Sequence, residues 1–234
     1  MPIAREGQFL VTRDLVHTAS LGIESANLSL CIEEARTRPY KAVFGSRGFG
    51  FSEKSLDSLL TLPKLEAVWF WDIALENIEA LYQLHELQSF GVHPKRPAID
   101  FSRLPSLKQI TWFHKPTDAG LRSLTSLNKL IVWHYLPKSK SFADLLVPDG
   151  LNELQINWAN PRTLDGLQSV PTLRRLEIHR CRNLESLALL PQLFPNLTYL
   201  VVATCGRVDQ KEAELATKRL PQLTHASINS KKFA

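Results

Sequence analysis

Histidines and cysteines are the residues of this chain whose types and spacing could do chemistry. His114 and His134 are 20 residues apart, and Cys181 and Cys205 are 24 apart. A zinc site needs three or four such ligands that converge on one point. No cysteine or carboxylate accompanies the two histidines at the same spacing, so we expect surface histidines. The two cysteines occupy matching positions of a repeat described below, which predicts neighbouring, buried thiols. No metal and no cofactor is predicted.

The segment Arg47-Gly-Phe-Gly-Phe51 could do a second kind of chemistry. It matches the beginning of an aromatic RNA-recognition motif, in which two rings stack on bases. The match then ends, because Ser52 and Lys54 stand where the motif has an apolar and an aromatic residue. We therefore interpret this segment as a glycine-containing turn with two packing rings.

Catalytic motifs are missing from the sequence. It contains no Ser-His-Asp elbow, HExxH motif, phosphate-binding loop or GxGxxG motif. Its acidic residues are scattered, so no pair of carboxylates can be singled out for acid–base chemistry. The prediction is that the protein is not an enzyme.

The composition is typical of a soluble protein of a reducing compartment. The 234 residues are 44% hydrophobic and 22% charged, and the net charge is +5. This charge is too small to indicate a nucleic-acid partner. Three cysteines, an odd number, argue against a disulfide framework. No signal peptide and no apolar run of about 18 residues is visible, which favours a cytoplasmic protein without a membrane partner.

A repeated sequence pattern, L-x-x-L-x-x-L-x-L, predicts the strands and turns that position the histidines and cysteines. Clear copies begin at Leu84, Leu104 and Val170. Alternate residues at the end of each phrase predict a short strand with one buried side. The middle leucines are 20 to 26 residues apart, and they are Leu65, Leu87, Leu107, Leu127, Leu151, Leu173, Leu197 and Leu223. Leucines three residues apart between the strands predict short helices or 3₁₀ turns.

Over residues 36–230, this pattern resembles the leucine-rich repeat superfamily, closest to its bacterial short-period type. It departs from that type because it lacks the asparagine ladder. The resemblance implies an α/β solenoid of eight or nine repeats. Its fold would be a curved, right-handed coil with a concave parallel β-sheet and short helices or 3₁₀ turns on the convex side.

The two ends of the chain differ from the repeats. Residues 1–35 are predicted to form an N-terminal cap, and the alternation in residues 26–32 indicates a strand, for which a β-hairpin is one arrangement. Asp209 is predicted to start a C-terminal helix in a capping box with Glu212. Residues 231–234 are predicted to be a basic tail that protects the open edge of the last strand, which ends near Ile228.

Candidate binding residues are the side chains that the register places on the concave sheet, which is the default binding surface of a solenoid. They are aromatic in the first half and mostly polar in the second: Phe44, Trp69, Trp71, His93, Phe113, Trp133, Tyr135 (near the rim), Glu153, Arg175, Glu177 and His179. Tryptophan is enriched in interface hot spots. A register shift of one residue would turn Trp69 and Trp71 into the core, and the sequence leaves this alternative open.

The leading hypothesis is a non-catalytic protein-binding module that masks a partner protein through the concave face. By analogy with stand-alone members of the superfamily, its most concrete form is an inhibitor or an immunity protein that neutralises a toxin. An adaptor subunit that presents a substrate to an enzyme is the alternative. A nucleic-acid binder that uses exposed aromatic residues is a weaker third hypothesis.

Overall fold

The computed structural model describes residues 3–13, 19–38, 40–93 and 95–233. Two compact units are present. Unit 1 consists of Met1–Trp112 with Thr117–Ala119, and unit 2 consists of Phe113–Pro116 with Gly120–Ala234.

Most of the regular structure is one short strand per repeat. The elements from the N-terminus through residue 113 are β1 (Ala4–Glu6), β2 (Phe9–Thr12), β3 (Ser20–Gly22), α1 (Leu28–Thr37), β4 (Ala42–Ser46), β5 (Ala67–Trp71), β6 (Ser89–Val92) and β7 (Gln109–Phe113). Those that follow are β8 (Lys129–Trp133), β9 (Glu153–Asn157), β10 (Arg175–His179), α2 (Leu190–Leu193), β11 (Tyr199–Ala203), α3 (Gln210–Lys218), β12 (His225–Ile228) and β13 (Lys231–Lys232).

Within each unit the strands of the repeats pair in parallel, with equivalent repeat positions side by side: β3 to β7 in unit 1 and β8 to β12 in unit 2. The first two pairs, β1–β2 and β2–β3, are antiparallel. In unit 1, Trp69 pairs with Phe44 on one side and with Gly91 on the other. In unit 2, Glu177 pairs with Gln155 and with Val201. This register is the one that the leucine spacing predicts, and the fold is an α/β solenoid of the leucine-rich repeat kind.

Short 3₁₀ segments carry the chain from one strand to the next, as the spacing of the leucines predicts. They include Asp57–Thr61, Glu79–Gln83 and Leu121–Ser123. Each of these segments places a leucine or an alanine in the core. Leu59 and Leu81 are examples, and each is 1% exposed. Burying one such leucine side chain stabilises the fold by about 1.5–3 kcal/mol. The repeat is therefore held together by its apolar positions, and the alternate strand positions are left for other uses.

The predicted strand at residues 26–32 is wrong, because this segment enters helix α1. Its alternating leucines are not buried, whereas Cys31 and Ala35 are. A spacing of four residues places these two on one side of a helix. The residues Glu33, Glu34 and Arg36 also favour a helix. A capping hairpin does exist, but it is formed by β1 and β2, which pair in antiparallel fashion.

The C-terminal helix begins where the sequence predicts. The Asp209 carboxylate accepts hydrogen bonds from the backbone N–H groups of Lys211 and Glu212, which caps α3. Glu212 does not complete a capping box, because its carboxylate accepts bonds from Ser186 Oγ and the Leu187 N–H. Glu212 thus ties the helix to the preceding repeat. None of the helices within the described residues has the length and apolar character to span a membrane.

The predicted basic tail contributes a strand of its own. Lys231 and Lys232 form β13, which pairs in antiparallel fashion with Ser227 and Ile228 of β12. These two residues of the predicted tail thus hydrogen-bond to the edge of the strand that they were predicted to protect. The last residue, Ala234, lies outside the described residues.

Candidate functional site

The solvent face of the sheet, as we use the term, consists of the first, third and fifth side chains of each strand in β4 to β12. The second and fourth side chains point into the core. In β10, for example, Leu176 and Ile178 are buried while Arg175, Glu177 and His179 are half-buried. The predicted binding residues that belong to strands all lie on the solvent face, and their exposure differs between the two units.

Trp69 and Trp71 are half-buried on the solvent face of unit 1. The core positions between and beside them, Val68 and Phe70, are 2% and 1% exposed, so the one-residue register shift does not occur. The Trp69 indole lies over Gly91 of the next strand. A Cβ atom at Gly91 would be 2.2 Å from Trp69 Cε3. Glycine at this position therefore makes the room that the indole occupies.

Phe44 was predicted to be an accessible binding residue, and this is wrong. It lies on the predicted face of β4 but is completely buried. Trp71 stacks on its ring at 6.1 Å with an interplanar angle of 19°, and Phe49 covers both rings edge-on at 6.4 and 5.9 Å. We call Phe44, Phe49, Trp69 and Trp71 the aromatic cluster.

The turn after β4 provides the covering ring. Gly50 has φ +78°, a conformation that glycine adopts without strain, and this lets the segment 47–51 fold back. Phe49 joins the aromatic cluster on the solvent face, and Phe51 is buried against Phe70 at 4.9 Å. The RNA-like motif is therefore a turn with two packing rings, as we interpreted it.

His93 follows β6 and is half-buried. Its backbone N–H donates to the Phe70 carbonyl at 3.0 Å, which continues the strand pairing by one residue. Its role in binding remains a prediction.

Phe113 and Trp133 form an open aromatic pair on the solvent face of unit 2. Their rings stack at 5.8 Å with an interplanar angle of 21°, and both remain half-buried. Both rings keep part of their surface in solvent, so the pair presents apolar area on two neighbouring strands.

A row of side chains continues from Trp133, and it begins with His134, which is exposed, as predicted for a surface histidine. Its other two members, Trp158 and Arg180, were not predicted from the sequence. The His134 ring lies 6.1 Å from Trp133 and 6.1 Å from Trp158. The Arg180 guanidinium lies 4.8 Å from the centre of the Trp158 ring. We call His134, Trp158 and Arg180 the edge ladder. Each is the first residue after its strand, so the repeat alignment itself contains the signal that could have found them.

Tyr135 was predicted to lie near the rim of the binding face, and this is wrong because it is fully buried. Its ring stacks on Phe142 at 5.5 Å and meets His114 edge-on at 4.7 Å. Burial raises the pKa of the Tyr135 hydroxyl to about 12. Tyr135 is the second residue after its strand, the position at which Cys181 and Cys205 point into the core.

The two cysteines are neighbouring and buried, which confirms the prediction. Cys181 Sγ accepts a hydrogen bond from the Ala159 N–H at 3.4 Å. A hydrogen bond with Cys205, together with burial, raises the pKa of the Cys181 thiol. The described residues include no group of three or more His, Cys, Asp or Glu side chains placed to hold a metal ion.

The polar side chains of the unit 2 solvent face are bonded to one another. Arg175 Nε donates to Glu177 Oε1 at 2.7 Å, and His179 Nε2 lies 2.8 Å from Glu177 Oε2. Lys129 and Glu153 form an ion pair at 3.2 Å. Burial would raise the pKa of Glu177, but the bonds from His179 and Arg175 outweigh it and lower the pKa. We call these five side chains the polar patch.

Of the ion pairs that the described residues form, the most enclosed lies in unit 1, away from the solvent face. Arg96 and Asp118, whose side chains are 0% exposed, make two parallel bonds of 2.8 Å. The Asp118 carboxylate also accepts from Trp112 Nε1 at 2.7 Å and from the Ile99 N–H at 2.8 Å. Burial would raise the pKa of Asp118, but these donors outweigh it and lower the pKa. The sequence analysis did not predict this pair.

Comparisons with known protein families and curated proteins found no match. No protein-family model matches the sequence, and no curated protein is significantly similar to it. The repeat spacing and the parallel strand register are those of a leucine-rich repeat solenoid. Two solved structures have similar backbones, and both come from Listeria monocytogenes.

The first is the functional domain of InlJ, which includes a cysteine ladder. Its TM-score is 0.48 and its identity 11%, over 88% of this chain and 47% of that one. The second is an internalin (inlF) from strain 4b F2365, with a TM-score of 0.46 and 15% identity, over 88% of this chain and 71% of that one. This chain thus spans less than half the length of the InlJ domain. The assignment of the fold follows from the strand register and the repeat spacing.

Proposed function

We propose that the protein is a non-catalytic protein-binding module and that the solvent face of unit 2 binds the partner. The observation that carries this proposal is the open stack of Phe113 on Trp133. Large rings fixed on strands lose little conformational entropy on binding, and tryptophan dominates interface energies more than most residue types. Among the described residues, the indole N–H of Trp133 has no acceptor, so it is available to a partner.

The polar patch supports recognition better than catalysis. A catalytic carboxylate needs a pKa near the working pH, whereas Arg175 and His179 lower the pKa of Glu177. The same bonds hold the charges in place before a partner arrives. Fixed, complementary charges increase association rates and exclude wrong partners. We therefore assign selectivity to Glu153, Arg175, Glu177 and His179, and apolar contact area to Phe113 and Trp133.

Unit 1 offers a second, smaller contact region in this proposal. Trp69, Trp71 and His93 keep part of their surface in solvent. Phe44 and Tyr135 act as supports of the accessible rings, because neither is exposed.

The most concrete form of the proposal is an inhibitor or immunity-type protein that masks its partner's active surface. All three cysteines are free and buried, which supports residence in the reducing cytoplasm. Such a protein needs no chemistry of its own. It needs a stable face that blocks the partner by occupancy.

The test is co-expression with the products of neighbouring genes, using wild type, Trp133→Ala and the control Leu215→Ala. Leu215 is an exposed apolar residue of α3 and does not belong to the solvent face of the sheet. We expect wild type and the control to co-purify a partner and to suppress its activity, and Trp133→Ala to weaken capture at least about tenfold while remaining folded.

Equal capture by Trp133→Ala would contradict the proposed face. A partner that co-purifies but keeps its full activity in the complex would favour an adaptor over an inhibitor. Circular dichroism of each variant separates lost binding from lost folding.

A further inference from the structure

The residues of the edge ladder share a backbone conformation that tryptophan and arginine rarely adopt. His134, Trp158 and Arg180 have φ of 56°, 57° and 58°, in the left-handed region. Thr204 continues the series one repeat later, with φ 58°. The left-handed conformation costs an ordinary residue about 1–2 kcal/mol, and bulky or β-branched residues in it are true outliers.

Two other strands are followed by smaller residues at the equivalent position. These are Asp72 after β5, with φ 52°, and Ser230 after β12, with φ 73°. Asp tolerates this conformation because its short side chain can bond locally, and Ser is not bulky. The middle repeats of unit 2 therefore retain bulky side chains at a backbone cost. Backbone strain of this kind indicates that the side chains have a function.

The side chains of the edge ladder form one connected surface. His134 lies against Trp158, whose ring also carries the Arg180 guanidinium at 4.8 Å. Arg180 and, two residues later, Arg182 are exposed, and neither has a carboxylate partner within the described part of the chain. Arg182 lines a shallow depression with Thr204 and Gly206. The ladder thus offers an aromatic surface beside two uncompensated positive charges.

We propose that the edge ladder binds an acidic segment of the partner protein, with its carboxylates on Arg180 and Arg182 and an apolar side chain on Trp158. This deepens the proposed function and rests on it. Arginine matches a carboxylate with two parallel N–H groups. Stacking on Trp158 fixes the Arg180 fork in advance, so less freedom is lost when a carboxylate arrives.

The polar patch favours a protein over a nucleic acid as the ligand. Single-stranded nucleic acids also bind aromatic rings and arginines, but they bring a continuous row of phosphates. Glu177 lies on the strand that leads into Arg180, and Glu153 lies on the strand that leads into Trp158. Their carboxylates would repel the phosphates of a nucleic acid that crosses the face. A peptide can carry acidic side chains at the arginines alone and uncharged side chains elsewhere.

The experiment titrates purified full-length protein with a short fluorescent peptide in which Glu alternates with Leu. The control peptide has Gln in place of Glu, and a labelled oligothymidylate tests the nucleic-acid alternative. We expect the Glu peptide to bind at least about tenfold more tightly than the Gln peptide. Arg180→Gln should remove most of this difference, and Trp158→Ala should weaken both peptides.

Arg219→Gln is the matched control, because Arg219 is an exposed arginine at the end of α3. It should bind both peptides as wild type does. Arg180→Glu should reverse the preference, toward a peptide in which Lys alternates with Leu. Such a reversal cannot come from partial unfolding.

Equal affinity for the Glu and Gln peptides, no binding of either, or a preference for oligothymidylate would overturn the proposal. Failure here is distinguishable from failure of the proposed function. If capture of the partner depends on Trp133 but not on Arg180, the proposed binding face is supported and the proposal for the edge ladder is contradicted. If peptide binding depends on Arg180 but capture of the partner does not depend on Trp133, the edge ladder is supported and the proposed binding face is contradicted.

Discussion

The two units use the same types of side chain in opposite ways. In unit 1 the stacked pair Phe44–Trp71 is covered by a third ring, and the Arg96–Asp118 ion pair is completely enclosed. In unit 2 the stacked pair Phe113–Trp133 is open, and Glu177 keeps 18% of its side chain in solvent. Strand register is the same in both. The difference teaches that register determines the face on which a side chain lies, whereas its neighbours determine whether it is accessible.

Glycines on neighbouring strands are a physical cause of this difference. Phe44 leans over Gly22, whose Cβ would be 2.9 Å from the Phe44 ring, and Trp69 lies over Gly91. A missing side chain lets a ring of the neighbouring strand settle against the backbone of the sheet. Phe113 and Trp133 instead stack on each other, and both stay half-exposed. We expect unit 1 to respond to substitution through stability and unit 2 through binding.

The largest effect should come from breaking the enclosed ion pair. Asp118→Ala leaves Arg96 buried without its partner, which should lower the free energy of unfolding by about 3–5 kcal/mol. The matched change in unit 2, Glu177→Ala, should cost less than about 1 kcal/mol, because its pair is partly screened by solvent. Urea unfolding of both variants measures the difference, and equal losses would contradict the comparison.

The same carboxylate predicts an acid dependence of stability. The pKa of Asp118 is lower in the folded protein than in the unfolded chain, so its contribution is present above the unfolded pKa of about 3.9. That contribution is lost as the pH falls from there through the folded pKa. Asp118→Asn should therefore flatten the fall of the unfolding free energy below about pH 4. A wild-type slope in this variant would assign the acid sensitivity to other groups.

The next effect compares the two stacked pairs. Phe44→Ala should destabilise the fold by about 3 kcal/mol, since it leaves a cavity beneath Phe49 and Trp71. Phe113→Ala should cost only about 1 kcal/mol, because it removes a half-exposed partner from one stack. Thermal unfolding checks both. If Phe113→Ala is as damaging as Phe44→Ala, the unit 2 pair is core and the proposed binding face loses its anchor.

A smaller effect tests the role of glycine directly. Gly91→Ala places a methyl group where the Trp69 ring lies, which should destabilise the protein by about 1–3 kcal/mol. In a Trp69→Ala background the same change should cost little, because the ring is gone. A double-mutant cycle with no coupling between the two positions would show that the indole can move aside freely.

Sequence reasoning was sufficient for the scaffold and insufficient for accessibility. Leucine spacing predicts the strands, the 3₁₀ turns and the face on which Trp69 lies, because these depend on local periodicity. It cannot predict that Phe49 covers Phe44, since that contact depends on how a turn folds over a neighbouring strand. The Arg96–Asp118 pair escaped prediction for a similar reason, because 22 residues separate two charges that only the tertiary fold brings together.

Two other errors had signals that the sequence contained. Tyr135 lies five residues after Leu130, just as Cys181 lies five after Leu176, and that spacing marks a buried position. Trp158 lies directly after β9 and Arg180 directly after β10, so both follow from the same alignment. The alternation of core-facing and solvent-facing side chains predicts positions only up to the last residue of each strand. The equivalent positions of the repeat continue into the turn that follows, where these residues lie.

The smallest predicted effect concerns the backbone of the edge ladder. Arg180→Gly and Arg180→Ala remove the same interactions, but only glycine is unstrained at φ 58°. The glycine variant should therefore be more stable than the alanine variant by about 1 kcal/mol, the reverse of the usual order in regular structure. Urea unfolding of both variants, with Asp72→Gly and Asp72→Ala as the pair from unit 1, measures the difference. The glycine variant could be at least as stable as wild type and yet no longer distinguish the Glu peptide from the Gln peptide. That result would show that the arginine serves binding and that the fold does not need it. An alanine variant as stable as the glycine variant would mean that the backbone at position 180 carries no strain. The backbone conformation would then give no support to a binding role for the edge ladder.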